Sequence, residues 1–146
     1  MSAEENKAII RRWYEDFLNA NNPDVADELV HPDYTPRWGT PESGAVTHKD
    51  ALAFWRGVLP DRHVMLDEVI AEGDTVMVRW TATGTHHGDW TTYIGTIPAT
   101  SKAITVSGTS TYHLKDGKII EDWHHGDSLD MLQQVGAVIQ PGDVGT

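Results

Sequence analysis

Three features of this sequence predict an α+β fold. Apolar residues recur at helical spacing over most of the first 60 positions, the period changes to two after Pro60, and turn signals containing Gly and Asp cut the alternating part into strands. Helices followed by a run of strands place the helices on one face of a mostly antiparallel sheet. The length of 146 residues favours one domain over 1–146 with a single core.

The elements follow in order. Ser2, with Glu5 three residues on, forms a capping box, so a helix starts at residue 3. Ile9, Ile10, Trp13, Tyr14 and Phe17 make its apolar stripe, and Asn21-Asn22-Pro23 ends it. Residues 23–30 read as a short second helix with Pro23 in its first turn. "HPDYTPRWGTPESG" is loop, and Thr47 caps a third helix over 47–59 with Leu52, Trp55 and Leu59 on its stripe. Strands are expected over 62–71, 75–86, 102–114 and 118–125, with a loop over 88–100 that holds a short strand near Tyr93. A helical turn over 127–135, capped by Asp127, and a loose tail "QPGDVGT" close the chain.

Charge and composition exclude several functions. The formal net charge is −11, which argues against nucleic acid or an anionic membrane as partner, since phosphates need a basic patch. No cysteine is present, so disulfides and thiolate metal sites are ruled out. The His-His pairs at 86–87 and 124–125 lack a recognised ligand spacing, and no metal or other cofactor is expected. "MSAEENKAIIRRWYEDFL" is too charged for a signal peptide and no 18-residue apolar run occurs, so a cytoplasmic location is expected. Six Trp against two Phe suit a pocket or an interface, because Trp combines large area with a polar N–H.

The two long strands assign their own faces. Val76, Val78, Trp80, Ala82 and Gly84 alternate with Met77, Arg79, Thr81, Thr83 and Thr85; Ile104, Val106, Gly108, Ser110, Tyr112 and Leu114 alternate with a threonine-rich set. Even positions therefore face the helices, and the odd face is wet or meets a second subunit. Small residues at 84, 108 and 110 suggest either a hollow or the close approach of another element. The last strand depends on its hairpin. A two-residue Asp116-Gly117 loop pairs Lys115 with Lys118 and turns Glu121, Trp123 and His125 inward; a three-residue loop pairs Leu114 with Lys118 and turns Ile120, Asp122 and His124 inward. Propensity does not choose between them.

A resemblance bears on that choice. "HPDY" at 31–34, "ATGTHHG" at 82–88, "GTIPATSKAITVSG" at 95–108, "DGKIIEDW" at 116–123 and "LQQVG" at 132–136 resemble the SnoaL-like polyketide cyclases, or ester cyclases, of the nuclear transport factor 2-like superfamily. The resemblance implies a cone-shaped α+β barrel, a curved sheet closed by N-terminal helices over a deep apolar pocket. It also implies a homodimer through the outer sheet face. In such cyclases a carboxylate after the last strand's Trp acts as acid/base in an intramolecular aldol closure. That position is His124 here, and the family histidine of the preceding strand falls at Ser110. The resemblance thus favours the three-residue loop, and it departs from the family at both positions.

Asp122 and His124 on one strand face lie about 7 Å apart at Cα. A carboxylate beside an imidazole orients the ring and favours its charged form. His124 is then the expected acid/base and Asp122 its orienter, acting on a proton flanked by two carbonyls of an apolar substrate. Ser110 and Tyr112 are expected to hydrogen-bond a substrate carbonyl, Trp13, Phe17, Trp55 and Trp80 to line the pocket, and His86 to reach its mouth. The alternatives are a non-catalytic module binding an apolar ligand, or an epoxide-hydrolase- or isomerase-like enzyme on the same fold, for which Asp122 and Asp127 lack an obvious Arg between them.

Overall fold

Local signals set the first helix. The Ser2 hydroxyl accepts a hydrogen bond from the Glu5 N–H at 3.1 Å and starts α1 (Ala3–Arg12). A computed structural model describes residues 1–35, 47–92 and 94–137. The loop beyond Thr35, the Tyr93 position and the tail "QPGDVGT" lie outside them.

Beyond α1 the helix does not simply continue. Residues Trp13–Asn19 widen into a π-helical segment with Trp13, Tyr14 and Phe17 all buried. Such π-helical widening is frequent at functional sites. Helix α2 is only Val25–Leu29, and Pro23 lies ahead of its cap residue Asp24 rather than in its first turn. Helix α3 (His48–Val58) is capped by the Thr47 hydroxyl, which accepts from the Asp50 N–H at 3.1 Å.

The strands are β1 (His63–Glu72), β2 (Thr75–Thr85), β3 (Trp90–Thr92), β4 (Gly95–Ile97), β5 (Ala103–Lys115) and β6 (Lys118–Gly126), followed by α4 (Ser128–Gln134). The antiparallel sheet runs β1-β2-β5-β6, and β3–β4 form a separate hairpin inside the stretch expected as loop. Together with the helices this is an α+β cone with a curved antiparallel wall. The even face is the inner one: Val76, Val78, Ala82, Ile104, Val106, Tyr112 and Leu114 are buried, while Met77 and Met65 are exposed. No helix among the described residues is long and apolar enough to cross a membrane.

The β5–β6 hairpin combines features of both expected forms. Lys115 pairs with Lys118, so the loop has two residues and not the three that the resemblance favours. Asp116 and Gly117 have φ +54° and +72°, the positive angles a type I′ turn requires. The register then slips: Leu114 pairs with Ile119 but His113 with Glu121, leaving Ile120 as an extra residue. This bulge resets the parity, so Ile119 is buried before it and Asp122 after it, while Glu121 and Trp123 are only partly buried. Tyr112 faces Asp122 and Ser110 faces His124. Ile120, expected inward, is only partly buried because it is the bulged residue.

Two of the three small inward residues have packing explanations. Gly108 pairs with Trp80 across the ladder, and a Cβ there would come within 2.5 Å of the Trp80 indole and 2.4 Å of the His125 carbonyl oxygen. The indole fills the space a side chain would take. Gly84 lies against Leu59 at the end of α3, where a Cβ would approach to 3.0 Å. Ser110, the third, belongs to the site below.

Candidate active site

Between the concave sheet and the helices lies a cavity of about 390 Å³, within the size range of small-molecule pockets. Trp13 and Phe17 come from the π-helical segment, with ring centroids 4.0 Å apart. Trp55 comes from α3, Trp80 from β2 and Trp90 from β3, so four of the six Trp line it. Trp90 was not anticipated from the sequence. The expected lining residues Trp13, Phe17, Trp55, Trp80, Ser110, Tyr112 and His124 are all there.

At one end sits a polar network around Asp122, whose side chain is fully buried. The Tyr34 hydroxyl donates to Oδ1 at 2.5 Å. His48 Nε2 meets Oδ2 at 2.6 Å, and His124 Nε2 meets the same oxygen at 3.3 Å. Burial works to raise this carboxyl, but the hydrogen bonds and charge of His124 and His48 outweigh it and hold it below the usual carboxylate range. Asp122 therefore stays ionised. It does not line the cavity; the two imidazoles do. The group that reaches a ligand is a histidine, and the carboxylate sits behind it.

His124 is held on its other side as well. Its Nδ1 lies 2.8 Å from Ser110 Oγ, which accepts the Trp80 indole N–H at 2.9 Å. With that lone pair taken, the Ser110 proton is available to Nδ1, which puts the neutral ring's proton on Nε2, facing Asp122. When the ring is protonated, Nδ1–H donates back to Ser110. The same geometry thus serves both charge states. His124 is 34% exposed, where solvent and ligand can reach it, whereas His48 is buried.

Beside this lies a phenol pair. The Tyr14 and Tyr112 hydroxyls are 2.8 Å apart. Burial pushes Tyr14 up to about 12 and, with Tyr14 beside it, Tyr112 well above its ordinary value. Both remain neutral at ordinary pH. Because one donates to the other, the pair keeps one O–H proton to offer a ligand oxygen.

Several placements differ from expectation. His86 does not reach the cavity mouth. β2 has ended at Thr85, and His86 pairs through its backbone with Lys102 and Ser101. Its ring is buried, with Nδ1 2.9 Å from Thr100 Oγ1, and burial lowers its pKa. Asp127 caps α4, accepting from the Asp130 N–H at 3.0 Å, while also bordering the cavity. His48, Tyr34 and Tyr14 were not singled out as site residues. His48 had a signal: positions 48, 52, 55 and 59 fall on one helical stripe, and the last three were already assigned to the core. Tyr14 falls on the apolar stripe of the first helix, which hides the role of its hydroxyl.

An α+β cone with an imidazole–carboxylate network at one end of an apolar cavity defines a class of small-molecule binding proteins and enzymes. Within it the chain belongs to the SnoaL-like polyketide cyclase family, whose model matches residues 8–135. Among solved structures it is similar to TsrD from Streptomyces laurentii, with 24% identity and a TM-score of 0.79, covering 94% of this chain and 99% of that one. It is similar to IdmH from Streptomyces antibioticus, a candidate polyketide cyclase, with 25% identity and a TM-score of 0.70 over 90% and 99% of the two chains. It is also similar to AclR from Streptomyces galilaeus, a candidate hydroxylase, with 21% identity and a TM-score of 0.77 over 94% and 100%. No curated protein is significantly similar in sequence. These likenesses fix the fold and support a cyclase- or isomerase-type enzyme without fixing one reaction, since the fold also carries the candidate hydroxylase.

Proposed function

We propose that this protein is a cofactor-independent enzyme that closes a ring in an apolar carbonyl substrate by intramolecular aldol chemistry, with His124 as general acid/base and Asp122 as the residue that positions it. One observation carries this reading: a buried, ionised carboxylate stands directly behind an imidazole that lines an apolar cavity. His124 removes a proton from a carbon flanked by two carbonyls, with the substrate displacing Ser110 from Nδ1. The electron pair moves onto the carbonyl oxygen, where the Tyr14–Tyr112 pair donates to the enolate. The enolate carbon then attacks a second carbonyl of the same molecule, and the new alkoxide takes its proton from the imidazolium. Asp122 stabilises that imidazolium throughout, and His48 and Tyr34 hold Asp122 in place.

A non-catalytic ligand-binding module is the competing reading. It is favoured by the fact that both ring nitrogens of His124 already have partners, Ser110 and Asp122. Hydrogen–deuterium exchange separates the two without the natural substrate. The probe is an aryl β-keto ester in D2O at a pD where spontaneous exchange is slow, followed by NMR. The native protein should accelerate exchange by about 100-fold or more, and His124→Ala should lose that acceleration while still binding the probe. Exchange at the spontaneous rate in the native protein leaves the binding module, and acceleration that survives His124→Ala rules out His124 as the base.

The same reading includes pairing of two copies through the outer sheet face, where Met65, Ile70 and Met77 are exposed and Ile70 and Met77 are direct cross-strand neighbours. Light scattering should report twice the chain mass, and Met77→Lys should shift it toward one; a monomeric native protein rules the pairing out.

A further inference from the structure

The cavity contains a cation that the chemistry above does not use. Arg62 precedes β1, and its side chain lines the cavity. Among the described residues no carboxylate pairs with its guanidinium and no side-chain hydrogen bond holds it. Its neighbour Asp61 is engaged elsewhere, accepting from the Thr85 N–H at 2.7 Å and the Thr85 hydroxyl at 2.8 Å. The guanidinium lies over the Trp55 ring, with Cζ 5.6 Å from the ring centroid. Such a cation–π contact holds the guanidinium near the ring without using its N–H donors.

The surroundings add positive potential. Burial is the main cause that lowers the Arg62 pKa, to about 10, and the nearby Arg56 adds to it. The Arg56 guanidinium donates to the backbone carbonyls of Leu18, Asn19 and Pro60 and, among the described residues, to no carboxylate. The sequence has 22 acidic residues against 11 Lys and Arg, so two neighbouring arginines without an acid are not explained by a shortage of partners. A partly buried guanidinium that lines an apolar cavity without a counterion gains when an anion arrives, and its two parallel N–H groups match a carboxylate.

We propose that Arg62 is the anchor for a carboxylate on the ligand, so that the cavity takes small aromatic or polycyclic carboxylic acids in preference to their neutral esters. This rests on reading the cavity as a small-ligand site, and it names the class of ligand. The apolar body lies among Trp55, Trp80 and Trp90, the carboxylate meets Arg62, and the reacting carbon is left toward His124.

The test uses 2-naphthoate and methyl 2-naphthoate with the full chain, read by quenching of the cavity tryptophans and checked by calorimetry. The native protein should bind the acid at least about tenfold more tightly than the ester, a carboxylate–guanidinium bond being the one difference between the probes. Arg62→Met should remove that preference and leave ester affinity within about twofold, and Arg62→Lys should restore part of it. Equal binding of acid and ester by the native protein overturns the proposal, as does a preference that survives in Arg62→Met, or an acid that does not bind at all. The measurement needs no turnover, so it is separable from the acid/base reading. Exchange that survives His124→Ala sinks the base while leaving the anchor, and an acid preference that survives Arg62→Met sinks the anchor while leaving the base.

Discussion

The two charged groups beside the cavity, the Asp122 carboxylate and the Arg62 guanidinium, are treated in opposite ways. The carboxylate is met by Tyr34, His48 and His124, and the network continues through Ser110 to Trp80. The guanidinium has an aromatic face and no counterion among the described residues. A satisfied network holds its members in one geometry, which suits groups that must be positioned before a reaction. An unsatisfied cation stabilises nothing by itself and becomes favourable only with a ligand. The folded protein is therefore complete around one group and waiting at the other.

The largest effect should come from breaking the complete network. Asp122→Asn keeps the shape but faces the Tyr34, His48 and His124 donors with an amide that also donates. Removing one member of a buried charged network costs about 3–5 kcal/mol, or a melting temperature lower by roughly 10 °C in a chain of this size. The deficit should depend on pH in a defined direction. The folded-state pKa of Asp122 is depressed, so its contribution is present above the ordinary carboxylate value of about 3.9 and is lost as pH falls through the lower folded value. Melting curves of the native protein and Asp122→Asn should thus lie far apart near neutrality and converge as the pH drops below about 4. Curves that stay parallel would mean that the carboxylate's charge is not what the network holds.

How much of this contrast could be read from the sequence differs between the two groups, for physical reasons. The inward face of β2 and β5 is legible because apolar and polar residues alternate cleanly there, and Ser110 and Tyr112 follow from that alternation. The facing of Asp122 and His124 is not legible from alternation, because the slip falls at Ile119-Ile120. Two adjacent isoleucines look the same whichever of them is inward, so the bulge leaves no mark in the pattern. The resemblance favours a three-residue loop with Asp122 inward; the loop has two residues instead, and Asp122 faces inward only because β6 carries an extra residue. His48 was legible on the α3 stripe, although its place at the helix start disguised it. Arg62 is the first residue of the strand expected over 62–71, but β1 starts at His63, so the strand alternation does not place its side chain.

The smallest effect, and the one of opposite sign, belongs to Arg62. Since burial lowers its pKa to about 10, the charged side chain is less favourable in the folded chain than in the unfolded one, and at neutral pH that difference opposes folding. Arg62→Met retains much of the side-chain length and its contact with Trp55 while removing the charge. It should leave stability unchanged or raise it by about 1–2 kcal/mol, seen as a melting temperature higher by a few degrees. A gain here beside a loss in Asp122→Asn would establish that the two groups differ in kind: one contributes to the fold, and the other is held against it. If Arg62→Met instead destabilises the chain as much as Asp122→Asn does, the guanidinium has a partner that supports the fold, and the contrast between the two groups disappears. Adding 2-naphthoate to the same melting experiment sharpens the comparison. Stabilisation by a ligand grows with its concentration relative to its dissociation constant, so the native protein should gain more than Arg62→Met from the same concentration, reversing their order once the ligand is in sufficient excess.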